Sequence, residues 1–314
     1  MHDVHDMPHI TMENTMHVRI SSTKVSSSHL PDSLNPHSAR VNDDIKGCFE
    51  IASENCSIIQ MKISSIFKAE LHTRIIAMYS TTCKRRPMKL DIDEGIDCLF
   101  RIVRTGMQWR EIEVKSASIS ALFKHVHRWV KAGVIQDAYT SMLHSYASRN
   151  DEKYYIIDSS HVKNVYGRKG TGRSPVDRGR KGLKISTLVD CNGMVHNIRS
   201  DPANVSDFKL FTPMLTSMLI NLRRIEVFAD KGYDSRSNRK DGYDRGFLPR
   251  IMKRKCRGSR RQNGKRVRVE HAFAWIDNFR RLRVQYECTS TIHVAYTLLA
   301  LGHVLCNRFF LKNE

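Results

Sequence analysis

The sequence predicts an α/β fold, a mixed sheet flanked by helices, set behind a helical N-terminal segment. Three observations predict it. From residue 151 onward, short apolar runs alternate with stretches of helical pattern. Two of the early runs in that half are joined through Asp190-Cys191-Asn192-Gly193, and Asn-Gly between apolar runs is a hairpin signal because both residues tolerate positive φ. Residues 61–150, by contrast, carry apolar side chains at helical spacing.

In order along the chain, residues 1–60 are dominated by Met, His, Ser, Asn and Asp, with His2, His5, His9, His17 and His29 in the first 30 positions. No period of 3.6 or 2 persists there, so a flexible extension is expected. The histidine spacing follows no metal-site geometry. Ile63, Ile66, Phe67, Leu71, Ile75, Ile76 and Tyr79 form one helix face, and Ile92, Ile96, Leu99, Phe100 and Val103 another. Gly106 breaks that helix and Trp109 returns to the core. Ser116 or Ser118 caps the next helix, which runs through Leu122, Phe123, Val126 and Trp129 to a stop at Gly133. Two short helices about a small turn fit a helix-turn-helix that would offer Lys124, His125, Arg128 and Lys131 to DNA; the plain alternative is helical packing with a solvated basic face.

The second half opens with a strand at 154–158, Tyr-Tyr-Ile-Ile-Asp, whose apolar run places Asp158 at the rim of a sheet. A basic, glycine-rich loop follows with Lys163, Arg168, Lys169, Arg173, Arg178, Arg180 and Lys181 against Asp177 alone. Strands are expected at 183–189 and 194–199, then a helix capped by Ser206 and running to Met218. A strand at 225–230 ends on Asp230; a short helix near 235–241 and a strand around 247–252 come next, and the last helices span about 267–281 and 292–311. The order β-β-β-α-β-α-β-α matches a ribonuclease H-like fold, which sets two strand-end carboxylates side by side and brings a third from a helix. The expected organisation is a 1–60 extension, a 61–150 helical DNA-binding domain and a 151–314 catalytic domain.

Charge supplies the partner. Lys and Arg number 52 against 32 Asp and Glu, a net +20, and such a field calls for a polyanion, nucleic acid before a membrane surface. No apolar run approaches the roughly 18 residues of a spanning helix, and the first 30 residues lack the apolar core of a signal peptide, so a soluble intracellular protein is expected. The eight cysteines contain no C-x-x-C pair, which argues against a zinc module or a disulfide framework and for free thiols. Residues 253–268 concentrate Lys253, Arg254, Lys255, Arg257, Arg260, Arg261, Lys265, Arg266 and Arg268 with no acid. The run is also compatible with a nuclear targeting signal, so location is expected to be cytoplasmic in a bacterium and nuclear in a eukaryotic or viral setting.

Three carboxylates, Asp158, Asp230 and Glu270, stand in the most basic part of this basic chain. Phosphodiester chemistry with two metal ions needs hard oxygen ligands and an open face for the phosphate, which Asp and Glu provide. A lone aspartate after a strand is ordinarily a cap or turn residue; it is the set of three in this order of elements that points to metal chemistry. His161, Asn204 and Asp207 read on their own as loop, turn and cap residues, and Trp275 with Phe279 as core packing.

Four motifs in order resemble the DDE transposases of bacterial insertion sequences, closest to the insertion-sequence-five type. They are Asp158-Ser159-Ser160-His161-Val162, Pro202-Ala203-Asn204-Val205-Ser206-Asp207, Ala229-Asp230-Lys231-Gly232-Tyr233-Asp234, and Val269-Glu270-His271-Ala272-Phe273-Ala274-Trp275. Phe279-Arg280-Arg281-Leu282-Arg283-Val284-Gln285-Tyr286-Glu287 is similar to the run that follows the family's glutamate, and Gly106-Met107-Gln108-Trp109-Arg110 with Trp129 to its N-terminal region. The resemblance implies that Asp158, Asp230 and Glu270 are catalytic and bind two Mg2+ or Mn2+ ions. It also implies that Arg266, four before Glu270, grips DNA phosphate.

The implied partners are double-stranded terminal inverted repeats and target DNA, held by a homodimer that bridges two ends, with no membrane. Where the family has a tyrosine this chain has Asn263, and where many members have a basic residue it has Asp277. Asp158 and Asp230 are 72 residues apart and Asp230 and Glu270 are 40 apart, which leaves no room for the large β-rich insertion of some transposases. The expected activity is 3′-end cleavage and strand transfer; the alternatives are a transposase-derived DNA-binding protein and a structure-specific nuclease.

Overall fold

The structure, a computed structural model, describes residues 62–82, 89–150, 153–216, 224–253 and 260–310, with the backbone alone for 81–82 and 260–263. The histidine-rich extension, Arg254, Lys255, Arg257, Met218 and the side chains of Arg260, Arg261 and Asn263 lie outside the described residues.

Four helices come first: α1 (Ser65–Thr82), α2 (Ile92–Thr105), α3 (Ile119–Lys131) and α4 (Val134–Ala147). Asp91 starts α2 by accepting from the amides of Asp93 and Glu94, and Gly106 ends it at φ 75°. Ser118, not Ser116, caps α3, its hydroxyl accepting from Ala121 N. Ser116 is taken by Glu94, whose carboxylate accepts from its amide at 2.9 Å and from Lys115 N at 2.6 Å. The connection from 106 to 118 therefore departs from the small turn expected. It contains a 3₁₀ turn, Trp109–Glu111, and exceeds the roughly 3–4 residues of a helix-turn-helix link. The short link lies instead at Ala132-Gly133, between α3 and α4, where Gly133 has φ 76°.

Trp109 is half-buried and packs against the core, edge-on to Phe123 at 5.1 Å, while Ile76 of α1 faces outward. His125 is half-buried and bonded to Tyr79, which removes it from the basic face that Lys124, Arg128 and Lys131 keep exposed.

The sheet runs β4-β3-β1-β5-β6, from β1 (Tyr154–Asn164), β3 (Lys181–Asp190), β4 (Val195–Pro202), β5 (Ile225–Ala229) and β6 (Phe247–Ile251). Two short strands extend it: β2 (Gly172–Arg173) on β3 and β7 (Val284–Gln285) on β1. β1 is antiparallel to β3 and parallel to β5, and β5 is parallel to β6. This mixed α/β order is that of a ribonuclease H-like core, as expected.

Alternation along the strands sorts the two faces. Ile156, Val189 and Phe228 face a core shared with the N-terminal helices, α7 (Arg260–Asp277) and α8 (Ser290–Leu305). Tyr155, Ile157, Leu188, Val227 and Ala229 face the other way, against Phe211, Met214 and Leu215 of α5 (Phe211–Thr216). α8 is buried nearly all round, as a helix between two layers must be. Helices and sheet thus belong to one compact unit, Glu54–Glu314.

Several boundaries differ from expectation for local reasons. β1 continues to Asn164 because β3 keeps pairing with it after β5 has stopped. Ser206 precedes a 3₁₀ turn, Asp207–Lys209, without a side-chain cap bond. Of Asn192-Gly193 only Gly193 takes positive φ, 86°. α7 stops at Asp277, where Arg283 donates to Asp277 O at 2.6 Å and Arg104 to Asn278 O at 3.1 Å, and α8 ends in a π-helical turn, Cys306–Phe310. α6 (Arg236–Asp244) is capped by Ser235, whose hydroxyl accepts from Asn238 N at 3.0 Å.

Candidate active site

Register brings two of the three carboxylates together. The last residues paired between β1 and β5 are Ile157 and Ala229, so Asp158 and Asp230 leave the pairing side by side. Parity then aims them. Asp158 is two residues beyond Ile156, and Asp230 two beyond Phe228, and both apolar residues point to the α7 face. Asp158 is therefore not at the end of its strand but at the point where one of its two neighbours ends.

α7 crosses that face on Val269, Ala272 and Ile276, all buried. This seating carries Arg266 over the aspartates. Its guanidinium lies 3.0 Å from Asp158 Oδ2 and 3.4 Å from Asp230 Oδ1. The side chains are 21% exposed for Asp158, 35% for Asp230 and 24% for Arg266, so the cluster is open to solvent on one side. Glu270, one turn along α7, is exposed. Among the described residues no three His, Cys, Asp or Glu side chains form a closed metal cluster.

Burial raises the Asp158 carboxyl above its usual range; the Arg266 hydrogen bond, the Ser159 amide and the Arg266 charge oppose this, and the Asp230 charge adds to it. Burial works against the Arg266 charge, yet bonding to Asp158 and the charges of Asp158, Asp230 and Glu270 leave its pKa raised. The Arg266 Nε is buried with no hydrogen-bond partner, so the guanidinium is not fully satisfied where it rests.

Behind the aspartates lies a brace that the sequence did not reveal. Asp207 Oδ1 accepts from Ser159 Oγ at 3.0 Å and from the buried Lys184 Nζ at 2.7 Å, and Lys184 also donates to Val205 O at 2.7 Å. On its other side Asp207 presses on the loop after Asp230: a Cβ on Gly232 would stand 2.9 Å from Asp207 Oδ2. One carboxylate thus touches the neighbour of Asp158 and the loop that carries Asp230. The available signal was Lys184 set between the apolar Leu183 and Ile185, since a buried lysine needs a partner.

The basic residues fall into groups. Arg168, Lys169, Arg173 and Lys181 are exposed around the far end of β1 and β2–β3, with Arg173 opposite Lys181 in the pairing. Lys253 is exposed after β6, and Arg128 on α3. His161 is half-buried in β1 with its Nε2 lacking a partner, its pKa lowered by burial and by Lys184. Trp275 is partly buried under Arg308, 4.1 Å away, and Phe279 is fully buried, as expected for packing residues.

The family model for the transposase DDE domain matches residues 149–305, which span all three carboxylates. The chain belongs to the DDE transposase family. A Burkholderia cepacia protein named as a transposase for insertion sequence element IS402 is 36% identical over 154 residues, 46% of this chain and 71% of that protein. Membership makes this an enzyme of the nuclease–transposase type, one that acts on DNA and depends on metal. No helix among the described residues is long and apolar enough to cross a membrane.

The donors fit a hard divalent cation in kind. Asp158 and Asp230 are adjacent, half-exposed oxygen donors, and their present counter-charge is one incompletely bonded guanidinium.

Proposed function

We propose that this protein is an active transposase that binds terminal inverted repeats, cuts their 3′ ends and joins them to target DNA. In this reading Asp158, Asp230 and Glu270 hold Mg2+ or Mn2+, two ions per site. The observation that carries it is the adjacency of Asp158 and Asp230 at the end of the β1–β5 pairing, beneath a helix that presents Arg266 and Glu270. Bound there, the ions would activate the attacking hydroxyl and stabilise the leaving oxygen.

The protein's own residues do the rest. Arg266 neutralises the aspartate pair in the resting site and competes with a metal ion for the same oxygens. Once displaced, its planar fork is matched to a phosphate. Asp207 and Lys184 fix the spacing of the two aspartates, as an outer layer of hydrogen bonds does in metal sites. Lys124, Arg128 and Lys131 on α3, with Arg168, Lys169, Arg173, Lys181 and Lys253, supply phosphate contacts. The same role is proposed for Arg254, Lys255, Arg257, Arg260 and Arg261. Joining two DNA ends calls for two copies of the chain, so a homodimer on DNA is part of the proposal.

The test is incubation of the protein with a labelled repeat end and Mg2+ or Mn2+. Metal-dependent 3′ nicking that disappears in Asp230→Asn is the expected result. Unchanged DNA binding with no cutting under any metal would leave a DNA-binding protein in place of the enzyme. Affinity should also fall steeply with salt as phosphate contacts release counterions.

A further inference from the structure

About 20 Å from Asp158, at a strand rise of about 3.3 Å per residue, β1 ends in a groove separate from the carboxylate cluster. Pairing of Lys163 and Asn164 with Val284 and Gln285 sets Tyr166 beside Tyr286, ring centroids 6.4 Å apart and inclined at 45°. Tyr166 is 66% exposed and Tyr286 38% exposed. The cavity they border has a volume of about 790 Å³, and Arg168, Arg180 and Lys181 line it without a single carboxylate.

Scattered exposed tyrosines are ordinary on protein surfaces. This pair is different because the loop that presents it is fixed. Asn164 clamps Gly167 from both sides, accepting from its amide at 2.5 Å and donating to its carbonyl at 2.9 Å. Val165 N donates to Gln285 O at 3.0 Å, and the amides of Arg168 and Lys169 both donate to Cys288 O. Any side chain at position 167 would meet Gln285 Nε2 at 2.5 Å, so the loop and β7 are packed without slack. Arg281 lies under the Tyr286 ring at 4.9 Å and holds it in place.

Fixed aromatic faces among cations are what unpaired nucleic-acid bases stack on, with the cations following the phosphates. A paired duplex keeps its base faces covered and gains nothing from tyrosine rings. We propose that the Tyr166–Tyr286 groove binds the bases of a single-stranded DNA segment, at a distance from the scissile bond. This deepens the transposase reading and rests on it: the groove would hold strand that has been unpaired or displaced near an end being processed.

The test uses the full chain, a labelled repeat-end duplex, and the same duplex carrying a single-stranded thymidine tail, read by fluorescence anisotropy. Tighter binding of the tailed DNA by the wild type is expected. Tyr166→Ala should erase roughly tenfold of that preference while leaving duplex affinity alone, and Tyr166→Trp should retain it. Tailed and plain duplex bound equally by the wild type, or a tail preference unmoved in both Tyr166→Ala and Tyr286→Ala, overturns the proposal while the transposase reading stands. Failure of the wild type to bind either DNA overturns both.

Discussion

Arg266 between Asp158 and Asp230, and Arg281 beside Glu287 and His293, are both arginine–carboxylate clusters, and they differ in how far they are sealed from solvent. In the second, Arg281 Nε meets Glu287 Oε1 at 2.8 Å with side chains 11% and 5% exposed, and His293 lies 3.8 Å from the other oxygen. Burial raises the Glu287 carboxyl, but His293 and Arg281 outweigh it and hold it below its usual range. The first cluster is half-open, its two aspartates share one guanidinium, and a third carboxylate waits outside. A pair sealed from solvent gives an incoming cation no way in, whereas the solvent-open one can exchange its arginine for another cation. Both lie in stretches that resemble the same family, so resemblance alone does not separate an open cluster from a buried one.

The largest effect is expected at the aspartates. Asp158→Asn or Asp230→Asn should reduce cutting by about 10³-fold, the effect of losing several kcal/mol of metal-derived stabilisation. Unfolding stability should stay within about 1 kcal/mol, because half-exposed ion pairs contribute little. Glu287→Gln should do the reverse. Leaving Arg281 buried without its counter-charge costs about 3–5 kcal/mol in a urea titration, with cutting per folded molecule largely preserved. Equal effects of the two substitutions on stability would mean that the two clusters do not differ in closure.

Acid should destabilise the fold through His303. His303 Nδ1 accepts from Ser64 N at 3.0 Å, which requires the neutral ring, and burial with the Arg104 charge lowers its pKa to about 4. The unfolded chain takes up the proton first as pH falls below about 6.5, the ordinary histidine value. The contribution of His303 is therefore complete above pH 6.5 and is lost between about 6.5 and 4, on the order of 3 kcal/mol. A flat pH–stability profile over that range, identical to that of His303→Gln, would contradict it. The smallest effect is expected for Asp207→Asn. It should lower cutting by about tenfold and raise the Mg2+ concentration needed, as loss of an outer-layer partner does. An unchanged metal requirement would remove Asp207 from the brace.

The order of strands and helices along the chain, and the setting of Asp158 and Asp230 after apolar runs, could be read from local pattern and hairpin chemistry, because those depend on neighbours in sequence. What could not be read depends on pairing at a distance. The polar run Ser159-Ser160-His161 looked like a loop, and it is strand only because β3 lies alongside. Asp207 looked like a cap residue, and its partners Ser159 and Lys184 are 48 and 23 positions away. Tyr166 and Tyr286 meet through a two-residue pairing too short to leave a pattern. In the N-terminal half, Glu94 lengthens the link that the sequence suggested was a small turn, because it captures Lys115 and Ser116.

Direct Mn2+ binding, followed by paramagnetic resonance of the free ion, tests the central claim with no DNA or turnover required. Wild-type protein should bind the ion, Glu270→Gln more weakly, and Asp158→Asn with Asp230→Asn not at all, while Arg266→Gln should bind it more tightly because the competing guanidinium is gone. Affinity unchanged across all four proteins would contradict the assignment of Asp158, Asp230 and Glu270 as the metal site.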